Sequence, residues 1–186
     1  AEDGIRDDLV TGVQTCALPI YTTIPVVTLN GDNYITHEAG DEYTDAGAVW
    51  NDIVDGEGNV TGVGEANVLV PGSYTITFNH TDTNGNEAVQ VTRIVNVVDT
   101  TIPVITLNGD NYITHEAGGA YTDTGAVWND IVDGEGNVTG VGEVNVLVPG
   151  SYTITFHHTD TNGNEAVQVT RTINVVDTTI PVITLN

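Results

Sequence analysis

Oxygen-bearing side chains gather in two short stretches of the sequence, and their spacing suits a cation. Asp55, Glu57 and Asn59 stand at i, i+2 and i+4 after Asp52, and Asp82, Asn84 and Asn86 repeat that spacing. Alternate oxygens in a loop fit calcium, a hard ion that takes about 6 to 8 oxygen ligands. The EF-hand pattern is not met. Counted from Asp55, the sixth residue is Val60 where a glycine is needed and the twelfth is Ala66; counted from Asp82, the twelfth is Arg93. Asp, Asn and Gly are also what ordinary turns prefer, so either stretch alone reads first as a turn.

Other chemistries lack their parts. Serine occurs only as Ser73 and Ser151, each after Pro-Gly, which leaves no sensible nucleophile for a Ser-His-Asp arrangement. Acid pairs exist, but nothing sets one protonated carboxyl against one ionised carboxylate, as glycoside hydrolysis requires. No phosphate loop or zinc motif is present. His80 and His158 share a strand face with Tyr, Ile and Phe and read as core or rim histidines rather than zinc ligands, while His37 and His115 read as turn residues. The expectation is a protein without catalytic activity.

The elements that must position these residues are strands. Tyr74, Ile76 and Phe78 alternate with Thr75, Thr77 and Asn79, which buries one face and wets the other. Val89, Val91, Val95 and Val97 repeat that pattern, interrupted by Arg93, which either pairs with a carboxylate or marks a bulge. Asn30-Gly31, Pro71-Gly72 and Asn84-Gly85 signal turns. The text then repeats: Ile24 to Thr101 and Ile102 to Thr179 run 78 positions apart with eight differences, and Ile180 to Asn186 opens a third copy. Such a period means a tandem array.

The expected fold is therefore all-β, as tandem immunoglobulin-like β-sandwiches, with repeat 1 over residues 21–99, repeat 2 over 100–177 and the start of a third over 178–186. Within repeat 1 the strands are expected at Val26 to Leu29, Tyr34 to Thr36, Gly47 to Trp50, through Val60 to Val70, at Tyr74 to Thr81 and at Ala88 to Val98. Tyr74 stands where such folds carry a tyrosine corner.

Residues 1–20 are set apart. "AEDGIRD", two free positions and "VTGVQTCALPI" resemble the in-frame translation of a short-read sequencing adapter, which implies a non-native head on a metagenomic fragment and removes Cys16 from consideration. The chain has no lysine, so a lysine-based isopeptide crosslink is excluded. Its formal charge of −23 argues against nucleic acid or an anionic membrane as partner. No apolar run approaches the roughly 20 residues of a membrane span, so any anchor is expected in other sequence.

"DTTIPVITLNG", "EAG..YTD.GA", "VPGSYTITF", "TDTNGNEA" and "VTRTINVVD" together resemble the immunoglobulin-like, hyalin-type repeats of bacterial surface proteins. The resemblance covers residues 24–179. It implies an extracellular stalk or binding unit of an adhesin, with neighbouring repeats as partners and surface or host glycans or proteins reached through other domains.

In a sandwich of this type two of the loops share one end, so the acidic stretches should converge there with the linker aspartate. Asp99 is expected to approach Asp130, Asp133, Glu135, Asp160 and Asn162, with Glu38, Asp41 and Glu42 facing them across the inter-repeat junction. Calcium is the expected ion. Because Gly119 and Ala120 replace Asp41 and Glu42, the downstream junction should bind it more weakly. Two other roles stay open: a glycan-binding module in which exposed Trp50 and Trp128 stack on sugar rings, and an accessory module of a secreted polysaccharide-degrading enzyme.

Overall fold

The computed structural model describes residues 22–185; the adapter-like head with Cys16, and Tyr21, lie outside the described residues. Repeat 1 contains β1 (Val26–Leu29), β2 (Tyr34–Glu38), β3 (Ala48–Asp52), β4 (Gly56–Val60), β5 (Gly72–Phe78) and β6 (Val91–Val98). Repeat 2 contains β7 (Val104–Leu107), β8 (Tyr112–Glu116), β9 (Ala126–Asp130), β10 (Gly134–Val138), β11 (Gly150–Phe156) and β12 (Val169–Val176). The described residues contain no helix, and so none long and apolar enough to cross a membrane.

Each repeat packs two three-stranded sheets face to face. In repeat 1 the orders are β1-β3-β4 and β2-β6-β5, and repeat 2 copies them. Strand alternation decides which side chains go in: Val27, Ala48 and Val60 from one sheet meet Ile76, Phe78, Val95 and Val97 from the other. Burying each larger side chain contributes about 1.5 to 3 kcal/mol. The β2–β6 pairing is parallel, Tyr34 opposite Ile94 through Glu38 opposite Val98; the other ladders are antiparallel.

Three expectations need correction. The fourth strand is Gly56–Val60, and no strand runs on to Val70; beyond Val60 only Val63 bridges to Thr77. Gly64 explains the break, because its φ of +114° and its approach to the Thr75 carbonyl cannot continue a pleated strand. Consequently Glu57 and Asn59 are ladder residues opposite Asn51 and Val49, and the loop shrinks to Ile53, Val54 and Asp55, closed by Gly56 at φ +93°. The last two strands are also shorter than expected. β5 ends at Phe78, β6 begins at Val91, and Val89 is exposed because Ala88 N–H instead donates to the His80 carbonyl.

Arg93 occupies the inner face without a bulge, since the ladder runs unbroken with Arg93 opposite Ile76. Its guanidinium is fully buried. Nε donates to the Asp32 carbonyl, Nη2 to those of Asn30 and Gly47, and Nη1 to Asp45 Oδ1 at 2.5 Å. One side chain thereby ties together β6, the β1–β2 turn and the segment before β3. Burial would raise the Asp45 carboxyl, but hydrogen bonds from Arg93, Gly47 N–H and the Tyr43 hydroxyl hold it below the usual carboxylate value. Arg171 and Asp123 repeat the arrangement. The Tyr74 hydroxyl donates to the Val70 carbonyl at 2.8 Å, the contact a tyrosine corner makes.

Candidate metal centre at the joint between repeats

At the β9–β10 end of repeat 2, Asp99, Asp130 and Asp160 offer carboxylate oxygens that all lie within 4.8 Å of one another. The three residues are 8, 5 and 8 % exposed. Each arrives by a different route. Asp130 ends β9, where its Oδ1 accepts from Val132 N–H and Asp133 N–H and so closes the hairpin turn. Asp160 sits in the β11–β12 loop, clamped by Asn162 N–H, Asn164 N–H and Asn164 Nδ2. Asp99 comes from the linker after β6, and Asn162 Nδ2 donates to its Oδ2 at 2.7 Å while Asn164 Nδ2 donates to its carbonyl.

One oxygen stands out. Asp130 Oδ2 is buried and accepts no hydrogen bond. A carboxylate oxygen in that position costs free energy unless a proton, water or cation meets it. Burial raises the Asp99 carboxyl above its ordinary value, and the charges of Asp130 and Asp160 push the same way, against hydrogen bonds from Asn162 and Thr101. Asp160 behaves oppositely: burial would raise it, but its bonds from Asn164, Asn162 and Gly163 hold it low. The donor set is all oxygen and all anionic, which fits a hard divalent cation.

The remaining residues expected here are not members of the carboxylate group. Asp133 accepts from Thr161 N–H and Oγ1. Glu135 is exposed in β10, opposite Asn129, because the hairpin makes it a strand residue. Asn162 joins the group as a donor to Asp99 through its nitrogen. The Asp41 side chain is exposed while its carbonyl meets His37 Nε2, so replacing Asp41 and Glu42 by Gly119 and Ala120 removes no member of the carboxylate group.

Glu38 has a task the sequence reading missed. Its carboxylate accepts from Thr100 N–H, Thr100 Oγ1 and Thr101 Oγ1, so repeat 1 holds the two linker threonines while repeat 2 holds Asp99. Glu116 takes Thr178 and Thr179 in the same way. The signal was present as Asp-Thr-Thr after each last strand, three consecutive polar residues where a loose linker needs none. The Thr100 N–H bond, the largest influence, holds the Glu38 carboxyl below its ordinary value, with burial opposing and the threonine hydroxyls assisting. The clamp is thus complete above the usual glutamate range and is lost as pH falls through the depressed value. In Glu38→Gln, amide hydrogen exchange at Thr100, followed by NMR at neutral pH, is expected to speed several-fold; unchanged exchange would remove the clamp.

Apolar contact accompanies the polar one. Val132 of repeat 2 packs against the repeat 1 core, and Ile131 lies over Gly40, where a Cβ would come within 2.7 Å of Ile131 Cγ1. Ile131 is 57 % exposed against 85 % for its counterpart Ile53.

The tryptophans are only half-buried, yet they face inward with Ala48 and Asp52 rather than outward. The Trp50 indole stacks on His80 with ring centroids 4.0 Å apart, and Trp128 stacks on His158 at 4.1 Å. Cross-strand Gly58 makes room, since a Cβ there would fall 2.7 Å from the indole Nε1. One ring face is therefore already occupied by an imidazole.

Two stacked, twin-sheet modules joined through a shared linker define a tandem immunoglobulin-like array. The family model described as "Bacterial surface protein, Ig-like domain" matches residues 27–97 and again 105–175, more than half of the chain, and the chain belongs to that family. No curated protein matches. Among solved structures, the chain is similar to the crystal structure of the lipoprotein BT2262 from Bacteroides thetaiotaomicron, with 26 % identity over 43 % of this chain and a TM-score of 0.36. It spans 40 % of that lipoprotein's length. So partial a likeness adds nothing to the family assignment.

Proposed function

We propose that this is a non-catalytic, extracellular stretch of a bacterial surface adhesin that acts as a spacer, each joint being stiffened by calcium. The observation that carries the reading is the buried, unpartnered Asp130 Oδ2 beside Asp99 and Asp160 at the joint. Three buried carboxylates within 4.8 Å repel one another, and a divalent ion converts that repulsion into a bond between linker and repeat. Asp99, Asp130 and Asp160 would hold the ion, and Asn162 and Asn164 orient Asp99. Family membership supports the surface location. The linker threonines bound to Glu38 support a fixed rather than loose joint.

Thermal melting with calcium and with chelator tests the reading. A site at 100-fold its Kd adds about 2.7 kcal/mol, which for a unit of this size moves the melting midpoint up by roughly 10 °C or more. The gain at the second repeat is expected to vanish in Asp99→Asn, whose amide keeps the size of the side chain but removes its charge. Equal melting of the second repeat in calcium and chelator would sink the calcium joint.

A further inference from the structure

We infer that repeat 1 carries a second calcium site of its own, formed, among the described residues, by Asp52, Asp55 and Asp82. The inference rests on the same cation chemistry as the joint but on different residues. Their carboxylate oxygens lie within 4.8 Å of one another. Asp52 is 5 % exposed, and its Oδ2 is buried without a hydrogen-bond partner.

Each carboxylate is already oriented. Asp52 Oδ1 accepts from Val54 N–H at 2.7 Å and Asp55 N–H at 3.0 Å, which leaves the buried Oδ2 as the oxygen with no donor. Asp55 is fixed by Thr83 N–H and Oγ1, and Asp82 by Asn84 N–H, Asn86 N–H and Asn86 Nδ2. Carboxylates held in place by backbone donors lose little freedom when an ion arrives.

Among the described residues, no lysine or arginine neutralises the cluster. There is no lysine, and the two arginines among the described residues are buried against Asp45 and Asp123. A hard divalent cation supplies what the side chains do not, and calcium accepts an irregular set of carboxylate oxygens where magnesium demands near-ideal octahedral geometry.

The two sites differ in what they join. At the joint, Asp99 brings in the preceding repeat; here Asp52 and Asp55 belong to the β3–β4 hairpin and Asp82 to the β5–β6 loop of the same unit. An ion at this site pins two loops of one repeat together and does nothing for the joint.

The test is calcium stoichiometry on the whole chain, by equilibrium dialysis and titration calorimetry, with terbium luminescence as a second readout. Asp52→Asn keeps the Oδ1 acceptor that closes the hairpin and removes only the charge, so it is expected to fold; Asp82→Asn guards against the opposite outcome. Two ions are expected in the unaltered chain, and one in each of Asp52→Asn, Asp82→Asn and Asp130→Asn. A single ion that is kept in Asp52→Asn and lost in Asp130→Asn overturns this inference and leaves the joint reading intact. A single ion lost in Asp52→Asn and kept in Asp130→Asn supports the inference and removes the joint site. Absence of binding overturns both.

Discussion

Replacing Arg93 by alanine is expected to cost repeat 1 about 3 to 5 kcal/mol while repeat 2 stays folded. The guanidinium is fully buried and satisfies Asp45 together with the carbonyls of Asn30, Asp32 and Gly47. Its loss leaves a part-buried carboxylate without its cation and strips three carbonyls of a donor. A unit of 78 residues has roughly 4 to 12 kcal/mol of stability in total, so most of the margin disappears. Lysine is a poor substitute, because a single ammonium cannot span four acceptors that a planar fork reaches at once; Arg93→Lys is expected to recover less than half. The chain offers an internal control, since each repeat has one tryptophan. In a Trp128→Phe background, urea denaturation followed by fluorescence reads repeat 1 alone. A midpoint unchanged by Arg93→Ala would show that the buried arginine is not what holds the first two strands to β6.

The second large effect is expected at Gly64. Its φ of +114° is open to glycine and strained for other residues, and an alanine Cβ would stand 2.5 Å from the Thr75 carbonyl oxygen. Backbone strain of about 1 to 3 kcal/mol adds to a clash with a rigid ladder atom, for a total near 3 kcal/mol or more. Gly85→Ala is the matching control: its φ of +89° carries the strain, but nothing lies within 4 Å of the added atom, so about 1 kcal/mol is expected. Urea midpoints of the two variants should differ clearly. Equal midpoints would mean that the segment after Val63 moves aside and that its bridge to Thr77 adds little.

The contrast between those glycines also explains what could be read from the sequence. Alternation in Tyr74, Ile76 and Phe78 marks β5 because burial depends only on the two-residue period. The stretch from Val60 to Val70 has similar apolar content, but Gly64 needs a left-handed backbone that no periodicity reveals, so a strand was expected where there is a single bridge. Asp55-Gly56 is a hairpin signal in plain sight. Read for its ligand spacing instead, it put Glu135 in a loop when that residue belongs to β10. Asp99, Asp130 and Asp160 were legible because topology alone sends the linker and two loops to one end. The roles of Asp41 and Glu38 were not, since they depend on where a side chain turns after the backbone is placed. For Arg93 the sequence left two choices, and its partner Asp45, 48 residues away, decides between them.

The parallel pairing of β2 with β6 has a mechanical consequence. These strands lie toward opposite ends of the repeat's chain, yet Tyr34–Glu38 runs alongside Ile94–Val98 in the same direction. When the chain is pulled from both ends, tension drags the two strands lengthwise past each other, so their rungs share the load together and do not open one at a time like a zip. A module wired in this way resists stretching along its length far better than peeling from its side.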